Sequence, residues 1–261
     1  MSYGSIAFEL SDDGIALITI RRPEKLNALD VATVGELDDA LSRAASDAST
    51  RGLLLAGAGD KAFVAGADVR ELAALDAAGC REFSLRGQRT FRRLETMGKP
   101  SVAAIHGYAL GGGLELAMCC TFRVAAPEAK LGLPEVKLGI IPGYGGTQRL
   151  PRLVGRSRAL GMLLTGEPVG AEEALRIGLV DHVAPRAELT EFCRGLLRKM
   201  LANAPVAVAL AMEAVDIGLN AGVEEGLRAE AAAFGLASAT EDRAEGMRAF
   251  LEKRPAVFRG K

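Results

Sequence analysis

Hydrophobic and polar positions follow two regimes along the chain. In the first, short apolar runs alternate with amphipathic stretches. Residues 6–10 (IAFEL) and 15–20 (IALITI) flank an Asp12-Asp13-Gly14 turn and predict a strand pair. Residues 33–48 carry Val34, Leu37, Leu41 and Ala44 at helical spacing, which places them on one face. The runs 52–56 (GLLLA) and 101–105 (SVAAI) are short and apolar throughout, as strands buried on both faces are. Residues 69–75 and 80–97 read as helical, a helix starts at Gly113, and a third core strand covers 122–125. This succession predicts α/β layering rather than a bundle.

The second regime begins after about Pro185. Residues 189–201, 205–219, 223–237 and 242–253 all read as helices with alanine-rich and Glu/Arg-rich faces. Pro205 suits a first helical turn, and Thr240 can cap the last helix. The chain is therefore expected to divide into a core over 1–197 and a helical region over 198–261.

Composition narrows the function classes. A chain of 261 residues, 49% hydrophobic and 25% charged, can build one large core with an appendage. Its formal net charge of -1 supplies no field for nucleic acid or an anionic membrane, so neither is expected as a partner. An anionic ligand must instead meet local basic groups. The first fourteen residues lack the pattern of a signal peptide, and no apolar run of about 18 residues is free of charge. Cys80, Cys119, Cys120 and Cys193 form no CxxC pair and read as buried free thiols of a reducing compartment, the cytoplasm. His106 and His182 lack metal-ligand spacing, so no metal site is expected, and a serine nucleophile would be short of bases. His106, at a strand end, reads as a satisfied, partly buried histidine.

Three glycine-containing stretches remain: GAGDKAFVAGAD (57–68), GYALGGGLELA (107–117) and PGYGGTQRL (142–150). None is a dinucleotide fingerprint, a P-loop or a nucleophile elbow. The first two each lead through small residues into a helix, whose first N–H groups have no intrahelical partner. Two such turns facing each other could offer the amides of Ala67 and Gly112 to one oxygen, an oxyanion hole. The same glycines would equally serve tight turns and close packing. Glu115 and Glu135 lie among apolar residues, where a carboxylate is costly unless exposed, paired or functional. Desolvated together they would repel and raise at least one pKa, which suits acid/base work. An ordinary helix N-terminal acid and a surface loop acid would look the same in sequence.

Read in order, AFVAGADVREL (62–72), IHGYALGGGLELAMCC (105–120), LGLPEVKLGIIPGYGGTQRLPRLVG (131–155) and LTGEPVGAEEALRIGLVDHV (164–183) resemble the enoyl-CoA hydratase (crotonase) family. The resemblance extends from RRPEKLNALD (21–30) to EGMRAFLEKRPAVF (245–258). It implies an α/β spiral of repeated ββα units and a helical C-terminal region that packs into homotrimers, often paired as hexamers. It implies an acyl-CoA substrate, no cofactor beyond the coenzyme A of that substrate, and catalytic Glu115 and Glu135. The thioester carbonyl would lie between the N–H groups of Ala67 and Gly112. Arg22, Glu24 and Lys25 would border the coenzyme A, and Ala65, Asp68 and Val69 would line its adenine end. Gly66, Gly111, Leu114, Pro134, Gly143 and Tyr144 complete the expected substrate contacts. Lys253 and Phe258, placed in the C-terminal helix, would reach a coenzyme A of the same or a neighbouring subunit. Asp68 has a second expected use as a helix cap.

Two residues depart from the family pattern. Thr121 stands where many relatives have aspartate, and Tyr144 replaces a commonly smaller residue and is expected to crowd or hydrogen-bond the acyl group. Within the family an isomerase, hydrolase or lyase uses the same oxyanion hole with other acid/base residues. The presence of both glutamates favours the hydratase, and a non-catalytic scaffold would carry them as a stability cost.

Overall fold

A computed structural model describes residues 3–261; residues 1 and 2 of the expected core lie outside them. The chain opens with β1 (Ile6–Leu10) and β2 (Ile15–Ile20), an antiparallel pair, and continues through a 3-10 turn (Pro23–Lys25) into α1 (Val31–Ser46). There follow β3 (Gly52–Gly57), β4 (Ala62–Val64), α2 (Val69–Ala73) and α3 (Ala77–Thr96). The same strand–strand–helix order recurs in β5 (Ser101–Ile105), β6 (Tyr108–Leu110) and α4 (Gly112–Met118). It recurs again in β7 (Phe122–Ala125), β8 (Lys130–Gly132), a 3-10 turn (Glu135–Leu138), α5 (Gly146–Val154) and α6 (Arg156–Thr165). Then come β9 (Val169–Gly170), α7 (Ala171–Arg176) and β10 (His182–Val183). Four helices end the chain: α8 (Leu189–Leu201), α9 (Pro205–Asn220), α10 (Val223–Ser238) and α11 (Glu241–Leu251).

The opening pair lies in one sheet, and from β3 onward each strand pair lays one strand in each of two sheets. The first strands of these pairs join β1, β2 and β10 in a six-stranded sheet ordered β1-β2-β3-β5-β7-β10, parallel except for the opening pair. The second strands form a four-stranded sheet ordered β4-β6-β8-β9, in which β9 runs antiparallel. The result is the crotonase-like spiral of ββα units with a helical C-terminal region.

The apolar strands bury both faces, as their uniform hydrophobicity demanded. Leu53 and Leu55 of β3 point into the larger core between the sheets, whereas Leu54 points to the opposite face. There it meets Leu189, Cys193 and Leu197, one stripe of α8 at four-residue spacing. The expected 197/198 division thus falls within α8.

The long elements match the sequence reading to within a few residues. Four short strands in tight turns, β4, β6, β8 and β9, were not legible, nor were β10, α5, α6 and α7. Strands of two or three residues carry no period, and α5 contains Pro151. The C-terminal helix ends at Leu251, so Lys253 and Phe258 do not lie in it as expected. Lys253 turns through φ +54° and Phe258 folds back beside Gly246. Among the described residues no single helix is long and apolar enough to cross a membrane; α8 and α9 meet the criterion only together and are bent by 101°.

Candidate active site

Three turns meet around one point. The first is residues 64–68, which leave β4 and enter α2. Leu29 N–H donates to the Gly66 carbonyl at 2.8 Å and Asp68 N–H to the Leu29 carbonyl at 2.8 Å. Ala67 lies between them, and its N–H donates to no acceptor among the described residues. The second turn, Gly111-Gly112, leaves β6 for α4. Gly111 adopts φ +51° and ψ -126°, a backbone essentially reserved for glycine. Gly112 is the first helical residue, so its N–H has no intrahelical partner. A side-chain carbon at Gly112 would lie 3.6 Å from the Ala67 nitrogen and 3.3 Å from the Tyr144 ring. The two unpartnered N–H groups therefore border the same small space.

The third turn, Gly143–Gly146, carries the amides that hold Glu115. Tyr144 N–H and Gly146 N–H donate to Glu115 Oε1 at 2.8 and 2.7 Å. Glu115 is 1% exposed, and burial raises its pKa to about 7. The negative charge of Glu135 pushes the same way, while the two amides and the Arg149 guanidinium oppose it. Glu135 opens the 3-10 turn after Pro134 and is 9% exposed, with Oε2 lacking any hydrogen-bond partner among the described residues. Burial raises it to about 7 as well. Its Oε1 would stand 3.0 Å from a side-chain carbon at Gly111, which ties this carboxyl to the glycine turn. The structure thus brings Gly66, Ala67, Gly111, Gly112, Glu115, Glu135, Pro134, Gly143 and Tyr144 to one site.

Tyr144 is 2% exposed and forms the floor of the site. Its ring stacks on Phe83 with centroids 5.2 Å apart and meets Phe91 edge-on at 5.1 Å. Burial, with Glu115 and Glu71 nearby, raises its hydroxyl well above the usual phenol range. Leu114 is fully buried on the core side of α4.

Beside this centre lies a basic–acidic cluster. Asp68 caps α2 by accepting from Arg70 N–H at 3.1 Å, as expected, and also faces Arg22 at 3.4 Å and Lys25 at 3.3 Å. Burial opposes its ionisation, yet the Arg70 amide, Lys25 and Arg22 hold it below the usual carboxylate value. Arg22 is itself buried against Asp30 at 2.7 Å and the Ala28 carbonyl, whereas Lys25 is half exposed. Val69 is half exposed at the start of α2, next to Ala65 and Gly66 in the turn.

Lys253 and Phe258 are not among the residues brought together here. Their neighbours lie in the C-terminal segment, where Asp242 accepts from the backbone of Arg259 and Gly260 at 2.6 and 2.7 Å. His106 corrects a further expectation: it is buried, but its Nε2 has no partner among the described residues, and burial lowers its pKa. Thr121 makes a reciprocal pair with Ser101, Ser101 N–H donating to Thr121 Oγ1 at 3.0 Å and Thr121 N–H to Ser101 Oγ at 3.1 Å. The alcohol thus caps a strand start.

Sequence reasoning missed two supports. Asn27, fully buried with φ +59°, pins the 22–28 loop by donating to the Ala58 and Ala62 carbonyls, both at 2.8 Å. Arg149 and Glu95 form a two-pronged pair under the site, at 2.5 and 2.8 Å. They lie 54 residues apart on amphipathic helices, where charges ordinarily face solvent, so no local signal marked them. The adjacent positive-φ pair Leu26 and Asn27 is a structural fact that the sequence RRPEKLNALD does not announce.

Comparison with known proteins agrees with this geometry. A family model described as enoyl-CoA hydratase/isomerase matches residues 11–261. A crotonyl-CoA hydratase of Syntrophomonas wolfei is 46% identical over 258 residues, covering 99% of each chain. A short-chain-enoyl-CoA hydratase of Clostridium acetobutylicum is 45% identical over 240 residues, covering 92% of each. The solved enoyl-CoA hydratase of Bacillus anthracis superposes with a TM-score of 0.95 at 40% identity, covering 99% of this chain and 100% of its own. With these matches spanning nearly its whole length, the chain belongs to the enoyl-CoA hydratase/isomerase family.

Proposed function

We propose that this protein is an enoyl-CoA hydratase, adding water across the C2=C3 bond of a trans-2-enoyl-CoA to give the 3-hydroxyacyl-CoA. One observation carries the reading: two buried carboxyls, each with a pKa near 7, sit at the turns that present two unpartnered backbone N–H groups. Near neutral pH such a pair readily holds one proton between them. Glu115, whose Oε1 accepts two amides, is favoured as the carboxylate and takes the proton from water as oxygen bonds to C3. Glu135, shifted by burial and without a partner at Oε2, is favoured as the acid and delivers its proton to C2. The double-bond electrons pass toward the thioester oxygen, whose charge the Ala67 and Gly112 amides receive; one such donor is worth about 100- to 1,000-fold in rate. Both proton transfers and the oxyanion contacts come from the chain, so the reaction needs no group beyond the substrate's coenzyme A.

Lys25 and Val69 offer the exposed contacts for that coenzyme A, with Arg22 and Asp68 shaping the loop behind them. The assembly is proposed to be a homotrimer or a pair of trimers joined through residues 198–261. A groove of about 530 Å³ between α9 and α10, lined by Leu210, Val215, Leu227 and Phe234, supports that surface. The free cysteines, buried at Cys119, Cys120 and Cys193 but partly exposed at Cys80 against expectation, fit a reducing compartment.

The test is incubation of the protein with crotonyl-CoA in oxygen-18 water. Loss of the conjugated thioester absorbance with heavy oxygen at C3 supports hydration. Persistence of the thioester with a moved double bond would identify an isomerase instead, and release of free coenzyme A a hydrolase.

A further inference from the structure

We propose that Arg149, gripped by Glu95, is a positioning residue that presents the Tyr144 and Gly146 amides to Glu115 and supports that carboxyl as the base. The inference rests on the hydratase reading above, in which Glu115 takes the proton from water.

The geometry starts on α3. Glu95 receives Arg149 Nε at 2.5 Å and Nη2 at 2.8 Å, a fork-to-fork contact that fixes the plane of the guanidinium. Both side chains are largely buried. The remaining prong, Nη1, donates to the Tyr144 carbonyl at 2.8 Å. That carbonyl belongs to the peptide between Tyr144 and Gly145, flanked on either side by the two peptides whose N–H groups reach Glu115. Arg149 thus clamps the centre of the amide pair. Ser84 Oγ and Gln88 Nε2, also on α3, hold the Gly143 carbonyl at 2.5 and 2.9 Å and grip the near end of the same turn. The far end depends on Gly145, which adopts φ +111° and whose hydrogen faces the guanidinium: a side-chain carbon there would lie 2.0 Å from Nη1. Glycine and arginine therefore fit this turn as a unit.

The electrostatics agree with the geometry. The groups that face Glu115 are Glu135 from the 3-10 turn, Tyr144 from the glycine turn, Cys119 from its own helix α4 and Arg149 from α5, with Glu95 of α3 behind the arginine. Burial and Glu135 favour the neutral acid. What favours the carboxylate is the Gly146 amide, the Tyr144 amide and the Arg149 charge. The first two are aimed by the turn that Arg149 clamps, and the third is Arg149 itself. A purely structural tie between α3 and α5 would leave the protonation of Glu115 where it is.

The discriminating variant is Glu95→Gln/Arg149→Gln, which removes both charges and leaves no buried carboxylate unpaired. Glu115 is followed through its side-chain carboxyl carbon in carbon-13-glutamate protein, the resonance being assigned with Glu115→Gln. Its titration is expected to move up by about one pH unit. The acid limb of kcat for crotonyl-CoA moves with it, kcat near pH 7 falls by about 10- to 100-fold, and KM changes by no more than about twofold. Arg149→Lys keeps the charge without the fork and recovers part of the titration shift and of kcat. Should the double variant fail to fold, Arg149→Lys is read alone and is expected to move the same limb upward by a smaller amount. A folded variant in which the Glu115 titration and the acid limb stay at their wild-type positions overturns the proposal, whatever happens to kcat. Wild-type protein that leaves crotonyl-CoA untouched, with a Glu115 titration still moved in the variant, would count against the hydratase reading and not against the positioning role.

Discussion

The glycine-turn site and the α9–α10 pair break opposite rules of protein interiors. At the site two carboxyls are taken out of water, Glu115 at 1% and Glu135 at 9% exposure. On α9 and α10 the departure is reversed: Phe234 is 74% exposed and Val223 77%, and neither helix buries a single residue. A folded chain tolerates each departure at a cost. The site can be dry because its surroundings are complete, with strands on one side, Tyr144 on its aromatic floor and amides facing inward. The helices have no such surroundings within one chain. The difference teaches that one chain completes the surroundings of the site but leaves apolar faces of the helical region exposed, which the proposed assembly would cover.

The comparison can be pressed with substitutions, beginning where the effect should be largest. Phe63→Ala removes a fully buried ring of β4 and should lower the unfolding free energy by about 3–5 kcal/mol, read from the urea midpoint. Phe234→Asp should leave the circular dichroism of the subunit intact yet weaken assembly by about 2–4 kcal/mol, visible as smaller species in sedimentation. An unchanged sedimentation profile would mean that this face is not the contact.

Glu135→Gln sharpens the contrast from the site's side. Its carboxyl rises from the usual value of 4.5 to about 7 on folding, so between these pH values the folded state holds more protons than the unfolded. Wild-type stability attributable to this group is therefore lost as pH rises through that window. Replacing the acid by the neutral amide should stabilise the protein by roughly 1–3 kcal/mol above about pH 7. The gain should shrink to near zero below about pH 4.5, as thermal unfolding at the two extremes will test. The smallest effect belongs to the helical region. Thr240→Ala deprives α11 of the side chain that accepts from Arg243 N–H at 3.1 Å, and should cost about 1 kcal/mol in thermal unfolding.

What the sequence could and could not disclose follows from how far each signal reaches. The helices α8 to α10 announced themselves because a period repeated along ten or so residues is a local property, and β2, β3 and β5 because a short apolar run is one too. Glu115 and Glu135 were conspicuous as charges among apolar neighbours, though only the resemblance joined them to the amides of Ala67 and Gly112. The short strands of the second sheet were hidden inside stretches such as AFVAGAD, where glycine and alanine mask any alternation. Arg149 was hidden for a different reason: its partners Glu95 and Tyr144 come from separate elements, and nothing on α5 distinguishes a buried arginine from a solvated one. The helix-end positions of Lys253 and Phe258 failed because Lys253 turns into positive φ, where the last helix stops. His106 reads as an ordinary strand-end histidine, and its unpartnered Nε2 emerges only once the neighbouring turns are folded over it.

The most direct test of the central claim compares Glu115→Gln and Glu135→Gln with wild type in crotonyl-CoA hydration, alongside binding of a saturated acyl-CoA to each. The account predicts that each substitution lowers kcat by about 100- to 10,000-fold while the saturated ligand binds about as tightly as before. A kcat left at the wild-type value in either variant would contradict it and remove that glutamate from the chemistry.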